Sequence, residues 1–378
     1  MITRPHPLQC ILPPHMVDAI IQHGTPEQRD WAIRTRRITA QFRDERHAAM
    51  AVARIARAVA GGKQRVVYTA DFGTTLPGRQ IRQEGQPPTG DLAVDEAYDG
   101  AGVTYDLYQN AYGRNSIDGS GLRLDSTVHF QKGYDNAFWN GRQMVYGDGD
   151  EDLPPAQRLF NRFTISIDII GHELTHGVTQ YEAKLAYLNQ PGALNESMSD
   201  VFGVLVKQYQ LGQTAAQADW LVGQGLFTSN VNGVALRSMK APGTAYDDPV
   251  LGKDPQPAHM RDYVNTIEDN GGVHINSGIP NHAFYVTATE IGGNAWEKAG
   301  RIWYVTLRDK LSITSNFQAA ANLTFQTAGE LFGAGSSEQQ AVQNGWAAVS
   351  PCSRWLPCAS RRNHRCGRIR CAYMPPSS

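Results

Sequence analysis

The chain has 378 residues, enough to bury a large core and to form two or three domains. Its composition, 41% hydrophobic and 19% charged, excludes a disordered chain, and no stretch reaches the roughly 20 apolar residues of a membrane helix. The net charge of −1 is uneven: residues 1–60 carry nine Arg against five acids and 352–378 six Arg and no acid, leaving an acidic body.

A basic leader beside an acidic body predicts either mutual attraction or two separately solvated surfaces. Leader helices are predicted from Pro13-Pro14 through Ile20-Ile21 and, after Gly24-Thr25-Pro26, over 26–42. A third, alanine-rich helix is predicted over 48–60, stopped at Gly61-Gly62, the boundary with the body. Pro13-Pro14 and Asp18 interrupt the apolar residues near the N-terminus, so no signal-peptide core forms. Val66-Val67-Tyr68-Thr69-Ala70 reads as a strand, 95–110 as a helix, and 122–131 and 143–146 as strands. Beyond Ile165 the pattern is mostly helical to Trp346. Four domains result: a leader at 1–60, a β-rich lobe at 61–180, a helical lobe at 181–351 and a Cys/Arg-rich tail at 352–378. Cys10 is the one cysteine before that tail, so the body is no disulfide scaffold.

Between the lobes lies Gly171-His172-Glu173-Leu174-Thr175-His176. Apolar residues at 165, 167, 169, 170, 174 and 178 predict a helix with one buried face. On it His172 and His176, four residues apart, project from the same side and can hold Zn²⁺ through ring nitrogens at about 2.0–2.1 Å. Glu173 is then placed to take a proton from water without ligating. A catalytic zinc needs a third protein ligand. Glu196 can supply it from a second helix, with Asp200 and Asn195 free to accept the remaining N–H groups of the two imidazoles. Glycines in Asp269-Asn270-Gly271-Gly272-Val273-His274 deliver His274 in a tight turn, five residues after an acid that can orient it. Asn136-Ala137-Phe138-Trp139 reads as an edge strand able to pair with an extended peptide.

Taken in order, these motifs resemble the thermolysin family of zinc neutral proteases over about residues 71–349. Further motifs of the resemblance are Ala101-Gly102-Val103-Thr104-Tyr105-Asp106, Asn136-Ala137-Phe138-Trp139-Asn140-Gly141, Tyr146-Gly147-Asp148-Gly149-Asp150, Gly192-Ala193-Leu194-Asn195-Glu196 and Leu236-Arg237-Ser238-Met239. The resemblance implies an α+β, thermolysin-like two-lobed zincin: a β-rich lobe, a helical lobe and an active-site cleft between them. It implies one catalytic Zn²⁺ on His172, His176 and Glu196, with Glu173 as general base. His274, oriented by Asp269, and Tyr187 would stabilise the oxyanion, and Arg237 would hold the carbonyl beyond the cut. Asn136 and the Ala137 backbone would bind the substrate main chain. Asp200 and Asn195 would partner His172 and His176. A bulky apolar residue just after the cut is the inherited preference.

The leader, through Leu12-Pro13-Pro14-His15-Met16-Val17, resembles the short propeptide of protealysin-type members. That implies a zymogen whose leader ends near residues 50–64 and covers the cleft in cis; a permanent N-terminal subdomain is the rival. Cys10 reads as a surface thiol, or else as a latency ligand of the zinc. Where the family's paired calcium site has an acid, this chain has Lys207, so the double Ca²⁺ site is expected to be lost and Lys207 to pair with an acid such as Asp168. The tail, with Cys352, Cys358, Cys366, Cys371 and His364, reads as an unrelated extension or as a small metal or nucleic-acid module. The expected partners are protein or peptide substrates and the chain's own leader, with neither nucleic acid nor membrane, for a monomer secreted without a recognisable signal peptide or retained in the cytoplasm. The class-level alternative is a zinc- and peptide-binding protein that does not cut.

Overall fold

A computed structural model describes residues 9–52 and 62–350, with the backbone alone at 9 and 42–52. Residues 53–61, within the expected leader end at 50–64, and the tail from 351 lie outside the described residues.

The leader opens with a short strand, β1 (Gln9–Cys10), followed by α1 (Pro14–His23) and α2 (Pro26–Val52). Each helix begins on a proline, whose fixed φ and missing N–H suit a first turn, and α1 stops at Gly24. The two helices predicted over 26–42 and 48–60 are one continuous helix as far as Val52. The reason is local: residues 43–47 contain no Gly or Pro, and Arg43, Glu45 and Arg46 propagate a helix readily.

In the first lobe, β2 (Arg65–Thr69), β3 (Arg79–Gln83), β4 (Leu124–Val128), β5 (Ala137–Trp139) and β6 (Met144–Tyr146) join β1 in a six-stranded sheet of order β1-β5-β6-β4-β2-β3. Strand β4 runs parallel to β2 and β6, whereas β5 is antiparallel to β6. The strand predicted over 122–131 is shorter because His129 and Gln131 adopt left-handed backbone, φ 51° and 52°, which a strand cannot continue through. Helix α3 (Leu92–Tyr112) starts earlier than the apolar pattern suggests. The Asp91 side chain accepts hydrogen bonds from the Ala93 and Val94 N–H groups and caps it.

The lobe ends in α4 (Ile167–Tyr181), and α5 (Asn189–Leu211) opens the second. These two helices carry the motif residues, and small residues let them close on each other. A Cβ at Gly203 would stand 2.4 Å from the Asp168 carbonyl, and one at Gly171 would stand 3.0 Å from the Gly203 Cα. The predicted helical run to Trp346 fails over 212–268, which holds only short strands, among them β7 (Leu221–Val222) and β8 (Arg237–Ser238), and a single-turn 3-10 helix. Gly223, Gly225, Pro242, Gly243, Pro249, Pro255 and Pro257 punctuate that stretch too densely for a helix. Helices resume with α6 (Asp269–Asn276), α7 (Gly278–Ile291), α8 (Ala299–Asp309), α9 (Phe317–Phe332) and α10 (Ser337–Ala348).

One apolar core runs through both lobes and includes Ile11, Leu12, Met16, Val17 and Ile20 of the leader. Burying each such side chain contributes roughly 1.5–3 kcal/mol, so the leader packs as part of the core. Among the described residues no leader arginine forms an ion pair with the body; Arg36 pairs with Asp18 inside the leader. Apolar burial therefore holds the leader down more than the charge contrast does.

Lys207 on α5 sits where α4 and β7 meet. Its Nζ donates to Asp219 Oδ1 at 2.9 Å and to the Leu221 carbonyl at 2.9 Å, and lies 3.2 Å from Asp168 Oδ2. Burial works against the ammonium, but Asp168 and Asp219 outweigh it and raise its pKa above the ordinary lysine value. Asp219, two residues before β7, is the second partner. Lys207→Ala would leave the fully buried Asp168 uncompensated and is expected to cost about 3–5 kcal/mol, read by denaturant unfolding. A loss under about 1 kcal/mol would show that the cluster is solvated.

Candidate active site

Helix periodicity places His172 and His176 one turn apart on the buried face of α4, with their Nε2 atoms 3.0 Å from each other. Glu196 of α5 points its carboxylate at the same spot: Oε2 is 3.5 Å from His172 Nε2 and Oε1 is 3.4 Å from His176 Nε2. Their donor atoms lie within 4.8 Å of one another, the one such cluster among the described residues. Glu196 Oε2 is buried with no hydrogen-bond partner among the described residues. Two imidazole nitrogens and an orphaned carboxylate oxygen converging out of water fit a cation, and the N/N/O donor set suits Zn²⁺.

The opposite edges of the imidazoles are tied down. His172 Nδ1 is 2.8 Å from Asp200 Oδ1, and His176 Nδ1 is 2.8 Å from Asn195 Oδ1 and 2.9 Å from Ser199 Oγ. Both imidazoles therefore turn Nε2 inward. Asp200 also accepts two hydrogen bonds from Arg237 and one from Asn281. Burial alone would raise its pKa, but Arg237 and the His172 contact hold it well below the usual carboxylate range. The same pair raises the Arg237 pKa against its own burial.

Glu173, beside the first histidine, is fully buried and its Oε2 accepts the Trp139 N–H at 3.0 Å. Across the cleft, His274 receives Asp269 twice: Nδ1 at 2.6 Å from Oδ1, and its backbone N–H donating to Oδ2 at 2.8 Å. Sequence predicts a turn here; His274 instead lies on α6, after Asn270, Gly271 and Gly272 in left-handed backbone with φ 54°, 86° and 72°. That kink swings Asp269 back over the helix that follows. Burial opposes the His274 charge, yet Asp269 and Glu196 raise its pKa to about 9. Its Nε2 is 3.1 Å from Tyr187 Oη, and Tyr187 also donates to Glu196. Burial and the Glu196 charge push the Tyr187 pKa far up, so its hydroxyl stays a donor.

Leader residues occupy the groove between these groups. Strand β1 pairs antiparallel with β5, Cys10 opposite Phe138, on the edge that sequence predicts to be open. The His274 Nε2–H reaches the Cys10 carbonyl at 3.1 Å, and Arg237 Nη1 donates to the Ile11 carbonyl at 3.2 Å. The Ile11 N–H donates to the Ala137 carbonyl at 3.2 Å and the Leu12 N–H to Asn136 Oδ1 at 3.0 Å. Cys10 is buried rather than a surface thiol, its side chain packed with Phe138 and Phe130, and it is not among the three clustered metal-type ligands.

Every site residue expected from sequence therefore comes together in this cleft. Sequence reasoning missed Ser199, Asn281 and Gln256, whose Nε2 donates to the His274 carbonyl at 2.8 Å. Ser199 was within reach, three residues after Glu196 on one helix. Asn281 and Gln256 arrive from distant segments with no local pattern to mark them.

A β-rich lobe and a helical lobe meeting at a buried H-E-x-x-H helix define a metalloendopeptidase of the zinc-dependent type. Comparison with known proteins narrows the class. Residues 57–180 match the model of the thermolysin metallopeptidase catalytic domain and residues 183–350 that of its alpha-helical domain. The chain belongs to the thermolysin metallopeptidase family. It is 50% identical over 350 residues to an extracellular metalloprotease of Pectobacterium carotovorum subsp. carotovorum, covering 91% of this chain and 96% of that protein. It is 43% identical over 266 residues to thermolysin of Alicyclobacillus acidocaldarius subsp. acidocaldarius, 68% of this chain but 45% of that one. Its structure superposes on the precursor of protealysin, a metalloproteinase from Serratia proteamaculans, with a TM-score of 0.81, 53% identity, and coverage of 90% and 99% of the two chains.

Proposed function

We propose that the chain is the zymogen of an endopeptidase that cuts before bulky apolar residues, with residues 1–60 as the inhibitory leader. The observation that carries this reading is the row of hydrogen bonds from His274, Ala137, Arg237 and Asn136 to three successive leader residues. They hold a peptide in one direction and register, and they place a fully buried Ile11 just after the carbonyl that faces His274.

His172, His176 and Glu196 would hold one zinc ion, which when bound supplies a Lewis acid that activates water and polarises the carbonyl. Glu173 takes the proton of the attacking water and passes it to the leaving nitrogen. His274, kept protonated by Asp269, and Tyr187 donate to the oxygen as it gains charge. Arg237, Asn136 and the Ala137 carbonyl fix the residues after the cut, so the scissile bond is presented rather than searched for. Asp200 and Asn195 keep both imidazoles in the required orientation. One chain supplies every group, which favours a monomer. The relative from Pectobacterium carotovorum named extracellular supports secretion as the destination.

The test is cleavage of casein and of quenched peptides by the chain after removal of the leader. Cuts before Leu, Ile or Phe are expected. No cleavage by zinc-loaded, leader-free protein would overturn the reading. We also infer that the Lys207–Asp168–Asp219 cluster replaces the family's paired calcium site: an ammonium 3.2 Å from Asp168 occupies the place of a cation. A Ca²⁺-selective chelator should then move the melting temperature by less than about 2 °C, whereas removal of one bound ion costs several times that.

A further inference from the structure

The leader does more than fill the groove: it sets one of its own bonds at the reacting position. Resting on the protease reading above, we propose that the Cys10–Ile11 peptide bond is the first self-processing site of this chain, cut in cis while the rest of the leader stays docked. The carbonyl of that bond meets His274 Nε2 at 3.1 Å, the group assigned to the oxyanion, and its N–H is held by the Ala137 carbonyl at 3.2 Å. The next carbonyl is on Arg237 and the next N–H on Asn136. Glu173 is anchored to Trp139, which the β1–β5 pairing sets opposite Gln9, one residue before the bond.

The register is protected on the far side. Pro13 has no N–H, so a one-residue slip that put Ile11–Leu12 at the reacting position would leave Asn136 Oδ1 without its donor. Beyond Pro13 the chain turns into α1 and leaves the groove. Hydrolysis adds water across the bond: its oxygen joins the Cys10 carbonyl carbon, the C–N bond breaks, and the Ile11 nitrogen takes both of the water's protons. The products are a Cys10 carboxylate and an Ile11 ammonium.

Cutting there does not free the cleft. Ile11 and Leu12 remain on Arg237 and Asn136, Trp31 stays against Gly133, and the Thr39 hydroxyl stays 3.1 Å from Tyr134 Oη. Residues from Ile11 onward therefore persist as a docked product, and the nicked chain remains inactive toward other substrates until a later cut removes α1 and α2.

The experiment is a time course of intact mass on the full zinc-loaded chain under reducing conditions, with casein cleavage followed in parallel. A species beginning at Ile11 is expected before casein activity rises, at a rate unchanged over a tenfold dilution and absent in Glu173→Ala. Ile11→Asp should slow it at least tenfold, because a carboxylate would have to enter an apolar subsite. A synthetic peptide of residues 6–16 supplied to leader-free enzyme should be cut at the same bond, which keeps the test valid if the variant misfolds. If casein is cut while Cys10–Ile11 stays intact, or if the first cut falls elsewhere, the inference is overturned and the protease reading stands. If zinc-loaded, leader-free enzyme cuts neither casein nor the peptide, both fall.

Discussion

Glu173→Ala is expected to keep its zinc and to lose at least about 10²-fold in the rate of peptide-bond cleavage, the scale of a missing acid/base. Three features separate the two readouts. Glu173 is absent from the cluster of His172, His176 and Glu196, so removing it leaves that donor set whole. The orientation of the imidazoles rests on hydrogen bonds with Asp200, Asn195 and Ser199, which do not use the Glu173 carboxylate. Its own carboxylate is fixed by the Trp139 N–H on β5, the strand that receives the peptide. Metal content by mass spectrometry and cleavage of a quenched peptide, both on leader-free protein, decide the matter. A zinc-loaded variant as fast as the parent would remove Glu173 from the chemistry. A parent that holds zinc and peptide yet cuts nothing would make the protein a binding module.

Acidification is expected to loosen the leader, through His15 on α1. Its Nε2 is 3.0 Å from Tyr246 Oη, and its Nδ1 is sealed from solvent with no partner among the described residues. Burial lowers its pKa to about 4; Asp269 favours the charge, while His274 and Arg237 repel it. A histidine whose pKa falls on docking binds more strongly when neutral. Docking is therefore at full strength above the ordinary histidine value of about 6.5 and weakens as the pH drops below it. Between pH 7.5 and pH 5 the linkage amounts to roughly tenfold to thirtyfold in leader opening. Limited proteolysis of the leader in the Glu173→Ala chain, compared at each pH with the same chain carrying His15→Gln, reads this difference. The neutral glutamine should flatten the pH response; an unchanged response would assign the effect to other groups in the cleft.

Much of the centre was legible because its spacing is helical. His172, Glu173 and His176 fall on one face at i, i+1 and i+4, and Glu196 and Asp200 repeat the logic on a second helix. The leader helices were legible from prolines at their first turns and Gly24 between them. Reading failed where a local rule met no competitor or too many. Nothing in 43–47 breaks a helix, so the predicted gap in α2 is absent, while 212–268 holds too many helix breakers for the predicted run. The glycines before His274 suggested a turn; they build a left-handed kink within the first half of α6.

Sequence alone determined the class of chemistry, since two imidazoles and a carboxylate at helical spacing have few other uses, and it determined the lobe order. Tertiary structure alone decided how those parts meet. Contact of α4 with α5 depends on the missing Cβ atoms of Gly171 and Gly203, and Asn281 and Gln256 reach the site across separations that no periodic pattern records. Cys10 shows the divide most plainly. By composition it is a small, weakly polar residue near a chain end. Only the pairing of β1 with β5 buries its side chain and sets its carbonyl on His274, because strand addition fixes the backbone of a segment whatever its side chains suggest.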